Sequence, residues 1–152
     1  RRMLAETLDR FLRDTYAIDR RHEFVASEDG WSKEMWQQFA ELGVIGALFT
    51  EDQGGFGGEG FDISVVFEEM GKRLVNEPIL DSALVPGPIL AAAGKTDAVE
   101  EIIAGSARYA LAAEEPQFSS GVPKKASGAS LWSVDVLHYV VLGNLLIVAK
   151  AA

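Results

Sequence analysis

The chain has 152 residues, 48% of them hydrophobic and 24% charged, which is the composition of one globular domain, or of one domain and part of a second. Its 14 basic against 23 acidic side chains leave a net charge of −9, which repels phosphate backbones and anionic membrane surfaces and argues against nucleic-acid and membrane partners. The absence of cysteine excludes disulfides, thiolate metal sites and cysteine nucleophiles. The longest apolar run, Tyr139 to Ala149, has eleven residues, where a membrane helix needs about 20, and no basic-then-apolar leader opens the chain. A soluble, cytoplasmic protein is the reading that remains.

Leu4, Leu8, Phe11, Leu12 and Ile18 form one apolar stripe and predict a first helix. Asp19 to Ala26 predicts a shorter one with Phe24 and Val25 inward, followed by a turn at Ser27-Glu28-Asp29-Gly30. Ser32 is placed to cap a helix that buries Met35, Trp36, Phe39 and Leu42 and stops at Gly43. From Gly43 to Gly60 the chain is glycine-rich, yet Val44, Ile45, Leu48 and Phe49 within it predict a packed loop. A third strong helix starts at Phe61 or Asp62 with Ile63, Val66, Phe67, Met70 and Leu74 on one face, and Pro78 sets its latest end. An apolar helix follows, interrupted by Pro86-Gly87-Pro88 and resuming over Ile89 to Ala93. Thr96 is expected to cap a last short helix closed by Gly105.

After Ser106 the residue types change to short runs of Val, Leu, Trp and Tyr, which predicts strands at Tyr109 to Ala113, Leu131 to Leu142 and Leu145 to Lys150, with a polar loop from Gln117 to Ser130. Charge changes at the same place: residues 31–105 hold four basic and thirteen acidic groups, the whole acidic excess. The expected organisation is a helical N-terminal domain over 1–105, with Leu8, Phe11, Trp36, Phe39, Val66, Phe67, Met70 and Leu74 buried together. A partial β domain over 106–152 follows, because three strands without a closing partner make a poor independent unit.

Single motifs carry little chemistry. Gly55-Phe56-Gly57-Gly58-Glu59-Gly60 satisfies the letters of G-x-G-x-x-G, and Glu77 stands near the position of a ribose ligand, but no βαβ alternation surrounds them. A tight turn that needs glycine is the simpler reading. His22 and His138 have no metal-ligand spacing; His22 reads as solvated and His138 as a strand side chain. The adjacent pairs Glu68-Glu69 and Glu100-Glu101 point about 100° apart on helices and read as solvated faces. Glu114-Glu115-Pro116 ends a strand where backbone groups meet ligands, and Trp132 opens another with an indole able to stack on a planar ring.

The ordered set does more than its members. Trp36, Leu42-Gly43, Ile45-Gly46-Ala47-Leu48, Glu51-Asp52-Gln53-Gly54-Gly55-Phe56-Gly57-Gly58, Glu68-Glu69-Met70-Gly71 and Glu114-Glu115-Pro116 together resemble the acyl-CoA dehydrogenase family. The stretches Gly30-Trp31-Ser32 and Phe49 to Gly55 are most similar to the small subunits of two-subunit members such as pimeloyl-CoA dehydrogenase. The resemblance covers 1–116 well and the tail loosely.

It implies a mostly α fold: an antiparallel helical N-terminal domain and the start of a β-barrel-like domain, without the family's C-terminal four-helix bundle. It implies FAD as cofactor, an acyl-CoA thioester as substrate and a homo- or hetero-oligomer, dimer or tetramer. The implied reaction is α,β-dehydrogenation, in which a bundle glutamate takes the α-proton and the flavin accepts the β-hydride. Because that glutamate lies in the bundle, no catalytic residue is assigned here. The resemblance places Leu111, Ala113, Glu114, Trp132 and Val134 against the flavin, and Ser119 and Ser120 in the thioester site. Glu114 stands where many members have threonine, so a non-catalytic partner subunit that completes another chain's flavin site is the alternative. The acyl-pocket depth depends on the segment around Leu74 to Ile89 and on the third domain, and the glycine loop is expected beside the acyl-chain entrance.

Overall fold

The computed structural model describes residues 2–112, 118–119, 122–123, 138–142 and 145–151, with side chains through Leu111. The fold is mostly helical: α1 (Arg2–Thr15), α2 (Ile18–Ala26), α3 (Lys33–Glu41), α4 (Gly60–Lys72), α5 (Pro86–Ala92) and α6 (Thr96–Ile103) precede the strand β1 (Ala107–Ala112). Two-residue strands β2 (Phe118–Ser119) and β3 (Val122–Pro123) pair with each other, and β4 (His138–Leu142) and β5 (Leu145–Ala151) complete an antiparallel sheet of order β1-β5-β4. The register places Leu111 opposite Ile147 and Arg108 opposite Lys150. No helix among the described residues is long and apolar enough to cross a membrane.

One core unites the helices and β1. Leu8, Leu12, Trp36, Phe39, Ile45, Phe49, Val66, Leu90 and Ile102 are fully buried in it, each contributing about 1.5–3 kcal/mol of transfer free energy. The Trp36 indole N–H donates to the Gly105 carbonyl at 3.2 Å and ties α3 to the end of α6. The phenyl ring of Phe49 packs against Gly87 of α5 so closely that a Cβ there would overlap it.

Four helices end in the same way. In α3, α5 and α6 the glycines Gly43, Gly94 and Gly105 adopt positive φ, and the next residue donates its N–H back five positions: Val44 to Phe39, Lys95 to Leu90, Ser106 to Glu101. This is the Schellman arrangement, in which glycine carries the left-handed residue without a Cβ penalty. In α4 the same bonds form, Leu74 N–H to Gly71 and Val75 N–H to Met70, but Leu74 occupies the glycine position at φ +53°.

Several expectations need correction. α1 ends at Thr15, whose hydroxyl donates to the Phe11 carbonyl, and Ile18 opens α2 with its side chain exposed. Val25 and Leu42 are exposed rather than inward, since α2 buries no residue and Leu42 already lies in the α3 C-cap. Leu74 lies beyond α4 and is 58% exposed. Pro86-Gly87-Pro88 opens α5 instead of interrupting it, because Pro86 takes the first helical turn where a missing N–H does no harm. A π-helical turn, Leu80–Leu84, precedes it. Thr96 is the first residue of α6, and Lys95 holds the cap position without a side-chain bond. β2 and β3 fall in the segment expected to be loop, and of the strand expected from Leu131 only His138 onward is described. Ser32 caps α3 as expected, accepting from Met35 N–H at 3.2 Å.

Candidate functional site

A cleft of about 300 Å³ opens between the turn before α3, the α4 surface and the segment that follows α4. Trp31, Phe67, Met70, Val75, Ile79 and Leu80 give it an apolar wall; Asn76, Glu77 and Asp81 give it a polar one. Local sequence explains the shape. The left-handed Leu74 turns the chain sharply back, Arg21 Nε anchors the turn by donating to the Leu74 carbonyl at 2.7 Å, and Pro78 keeps the next residues from continuing a helix.

The polar wall is a network across three parts of the chain. Tyr16, from the end of α1, bonds through its hydroxyl to Asn76 Oδ1 and to Glu77 Oε2, the latter at 2.8 Å, and receives the Asn76 backbone N–H at 3.1 Å. Asn76 Nδ2 donates to the Gly30 carbonyl. Ser32 N–H donates to Glu77 Oε1 at 3.1 Å. Burial raises the Glu77 carboxyl above its ordinary value, against the lowering effect of the Tyr16 and Ser32 bonds. Burial likewise raises the Tyr16 phenol.

Behind the cleft, Trp31 stacks edge-on to Trp36 with centroids 6.2 Å apart, and the Arg108 guanidinium lies 4.1 Å from the Trp31 ring centroid. Arg108 is 6% exposed and its Nε has no hydrogen-bond partner. Burial pulls its pKa below the ordinary arginine value, although Asp29 favours the charge.

The glycine loop is a packed structure, not a phosphate cradle. The N–H groups of Gly55, Phe56, Gly57 and Gly58 donate to the carbonyls of Thr50, Gly46, Phe49 and Ala47, so none of the four is left for an anion. A Cβ on Gly55 would overlap the Phe49 carbonyl oxygen, and one on Gly57 the Ala47 oxygen. A reciprocal cap that the sequence reading missed, Thr50 with Gln53, closes the short 3₁₀ turn Glu51–Gln53. Beside the loop a second depression, about 330 Å³, is lined by Met3, Leu4, Leu42, Ala47 and Phe56.

Of the residues expected to meet a flavin, Leu111 is half-buried on β1. Ala113, Glu114, Trp132 and Val134 lie outside the described residues, as does Ser120; for Ser119 only the backbone is described, paired with Val122. His22 is exposed. Glu69 corrects an expectation: it is buried at 8% exposure and accepts from Lys72 at 2.8 Å, while its neighbour Glu68 is exposed. Glu101, exposed as expected, receives the Tyr109 hydroxyl at 2.8 Å. Among the described residues no group of three or more histidines and carboxylates is placed to hold a metal. Tyr16 and Arg108 had no local signal, because their partners lie 61 and 77 residues away.

A packed glycine loop joins α3 to α4, the apolar cleft opens beside α4, and β1 follows α6. The acyl-CoA dehydrogenase N-terminal domain matches residues 1–108, and the chain belongs to the acyl-CoA dehydrogenase family. Among curated proteins it is similar to acyl-CoA dehydrogenase IpdE2 of Mycolicibacterium smegmatis (strain ATCC 700084 / mc(2)155), 31% identical over 119 residues, covering 78% of this chain and 38% of that protein. It is also similar to acyl-CoA dehydrogenase IpdE2 of Mycobacterium tuberculosis (strain ATCC 25618 / H37Rv), 38% identical over 90 residues, covering 57% of this chain and 28% of that protein. The chain thus spans less than two fifths of the length of these relatives. No solved structure matches it significantly.

Proposed function

We propose that the chain is a fragment or subunit of an FAD-dependent acyl-CoA dehydrogenase, and that the cleft beside α4 receives the acyl group of a CoA thioester. The observation that supports this reading best is the cleft itself: Trp31, Phe67, Met70, Ile79 and Leu80 form an apolar wall inside the stretch that matches the family. Apolar clefts with a few convergent polar groups are the usual form of a small-molecule site. In this reading residues 1–105 are the helical domain and 106–152 the start of the β domain. The protein acts in the cytoplasm as a dimer or tetramer of dehydrogenase subunits.

The flavin side draws on β1. Among the described residues β1 is an edge strand of its sheet, and its outer row of backbone donors and acceptors suits the hydrogen-bonding edge of a flavin ring. Leu111, Ala113 and Glu114 would hold the cofactor from this strand and its end, with Trp132 and Val134 flanking the ring and Ser119 and Ser120 beside the thioester. Bound FAD supplies a hydride acceptor. This chain's own part is to bind the acyl group, to keep water from it with the Trp31 and Met70 side chains, and to orient it toward β1.

The second reading, a non-catalytic subunit that completes a neighbour's site, is favoured by Glu114, where many members have threonine. A carboxylate there repels the negative charge of a flavin's pyrophosphate. The experiment is purification of the full-length gene product that carries these residues, followed by acyl-CoA titration of its flavin absorbance. Bleaching of the flavin band supports the dehydrogenase; bound flavin without bleaching supports the partner subunit. Neither flavin nor acyl-CoA binding would refute both.

A further inference from the structure

The polar wall of the cleft obeys a proton count. The bond from Asn76 Nδ2 to the Gly30 carbonyl fixes which end of the amide is nitrogen, so the end that faces Tyr16 is an acceptor oxygen. Tyr16 Oη therefore meets two acceptors, Asn76 Oδ1 and Glu77 Oε2, while itself receiving the Asn76 N–H. A phenol has one proton to give. Both contacts are satisfied in full only when Glu77 Oε2 carries a proton and donates it to Tyr16.

The surroundings of Glu77 suit a neutral acid. Its side chain is buried, and the groups that meet it are Tyr16, just after α1, and the Ser32 N–H at the cap of α3, neither of them a cation. Asp81, half-buried on the same wall, adds negative charge to the cleft, which turns away an anionic ligand. In a neutral carboxylic acid the carbonyl oxygen has two lone pairs. Ser32 uses one of those on Oε1, and the other belongs to a group that lines the cleft.

We propose that Glu77, as an uncharged carboxylic acid, is a specificity residue of the cleft, its Oε1 accepting a hydrogen bond from a hydroxyl carried on an otherwise apolar acyl chain. The substrate class is then a hydroxylated acyl thioester, and a plain alkyl chain is disfavoured because it leaves the second lone pair of that oxygen dry and without a donor. This rests on the reading of the cleft as the acyl site. The cleft has room for about ten water-sized groups, enough for a medium-length chain with one oxygen.

The test measures binding rather than turnover in the full-length protein, by titration calorimetry with saturated acyl-CoAs of four to eight carbons and their ω-hydroxy counterparts. At the length that brings the hydroxyl to Glu77, the hydroxylated probe is expected to bind about tenfold tighter. Glu77→Gln keeps the preference, since the amide oxygen accepts from the ligand and the amide nitrogen donates to Tyr16. Glu77→Leu lowers it below about twofold. Carboxyl-labelled glutamate NMR is a second readout that needs no variant and is expected to show Glu77 protonated at neutral pH. Equal binding of paired probes at every length, retention of the preference in a folded Glu77→Leu protein, or an ionised Glu77 at neutral pH would overturn the proposal and leave the acyl-site reading standing. Binding of neither probe series would overturn both.

Discussion

Arg108 is the side chain whose replacement is expected to make the protein more stable. Its guanidinium is buried and its Nε makes no hydrogen bond, although Asp29 favours the charge. A buried donor without a partner costs about 1–3 kcal/mol, and desolvating an ion costs several kcal/mol more unless a counter-charge stands in contact. Against this, the stacking on Trp31 at 4.1 Å returns about 0.5–2 kcal/mol. Methionine has a similar length, needs no hydrogen bond and contributes about 0.3–1.5 kcal/mol through its own sulfur–aromatic contact. Arg108→Met is therefore expected to stabilise by about 1–3 kcal/mol, or roughly 2–4 °C in Tm for each kcal/mol in a chain of this size. Urea unfolding followed by far-UV circular dichroism measures it without relying on the Trp31 emission that the substitution alters. Arg108→Lys, which keeps the charge but loses the planar stack, is expected to destabilise. A loss of 1 kcal/mol or more in Arg108→Met would refute the reasoning, because it would mean that the Trp31 stack and the charge of Asp29 outweigh the cost of burying the guanidinium.

Further outcomes are expected. The folded-state pKa of Glu77 is raised, so its contribution is complete below the ordinary glutamate value of 4.5 and is lost as pH rises through the folded value. The stability difference between wild type and Glu77→Gln should accordingly shift against the wild type above that value. Asp9, lowered first by its bond to Arg13, acts only at more acid pH and cancels in the difference. Gly57→Ala should cost about 1–3 kcal/mol or more by driving a Cβ into the Ala47 carbonyl, whereas Gly60→Ala, with open space around its Cβ, should be neutral or slightly stabilising in urea titrations. Leu74→Gly should gain up to about 1 kcal/mol by relieving a left-handed leucine, less the entropy that glycine loses; a clear loss would show that the exposed side chain has a contact outside this chain. The isolated 152-residue chain should purify colourless and bind FAD more weakly than micromolar in fluorescence titration, because most of the cofactor's contacts would come from other domains.

The helices were legible wherever an apolar stripe ran without interruption. Leu8 with Leu12, Met35 with Trp36 and Phe39, and Val66 with Met70 all point into the core, and Gly43 and Gly105 mark real helix ends. Ile18 and Leu74 misled because each continues a stripe past a point where the backbone has already turned; periodicity registers side chains and not φ angles. Pro86 was read as a break because a proline that opens a helix and one that ends a helix look alike until the preceding segment is known. The family was legible from motif order over many residues, which is a signal that no single position carries. The polar wall of the cleft was not. Glu77 meets Tyr16 and Ser32 across 61 and 45 residues, and no local pattern announces a buried carboxyl whose partners come from another helix.

The cleft is bounded along one side by a part of the chain without a regular ladder of helical hydrogen bonds: a left-handed leucine, a short connection through Pro78, then a π-helical turn. Segments of this kind open locally, at free energies well below that of global unfolding. Amide exchange at Val75 to Leu80 should therefore report the breathing of this wall alone, while α4 on the opposite side exchanges only with the core. A cleft with one rigid bank and one yielding bank can admit chains of different girth while the helices that carry it stay still.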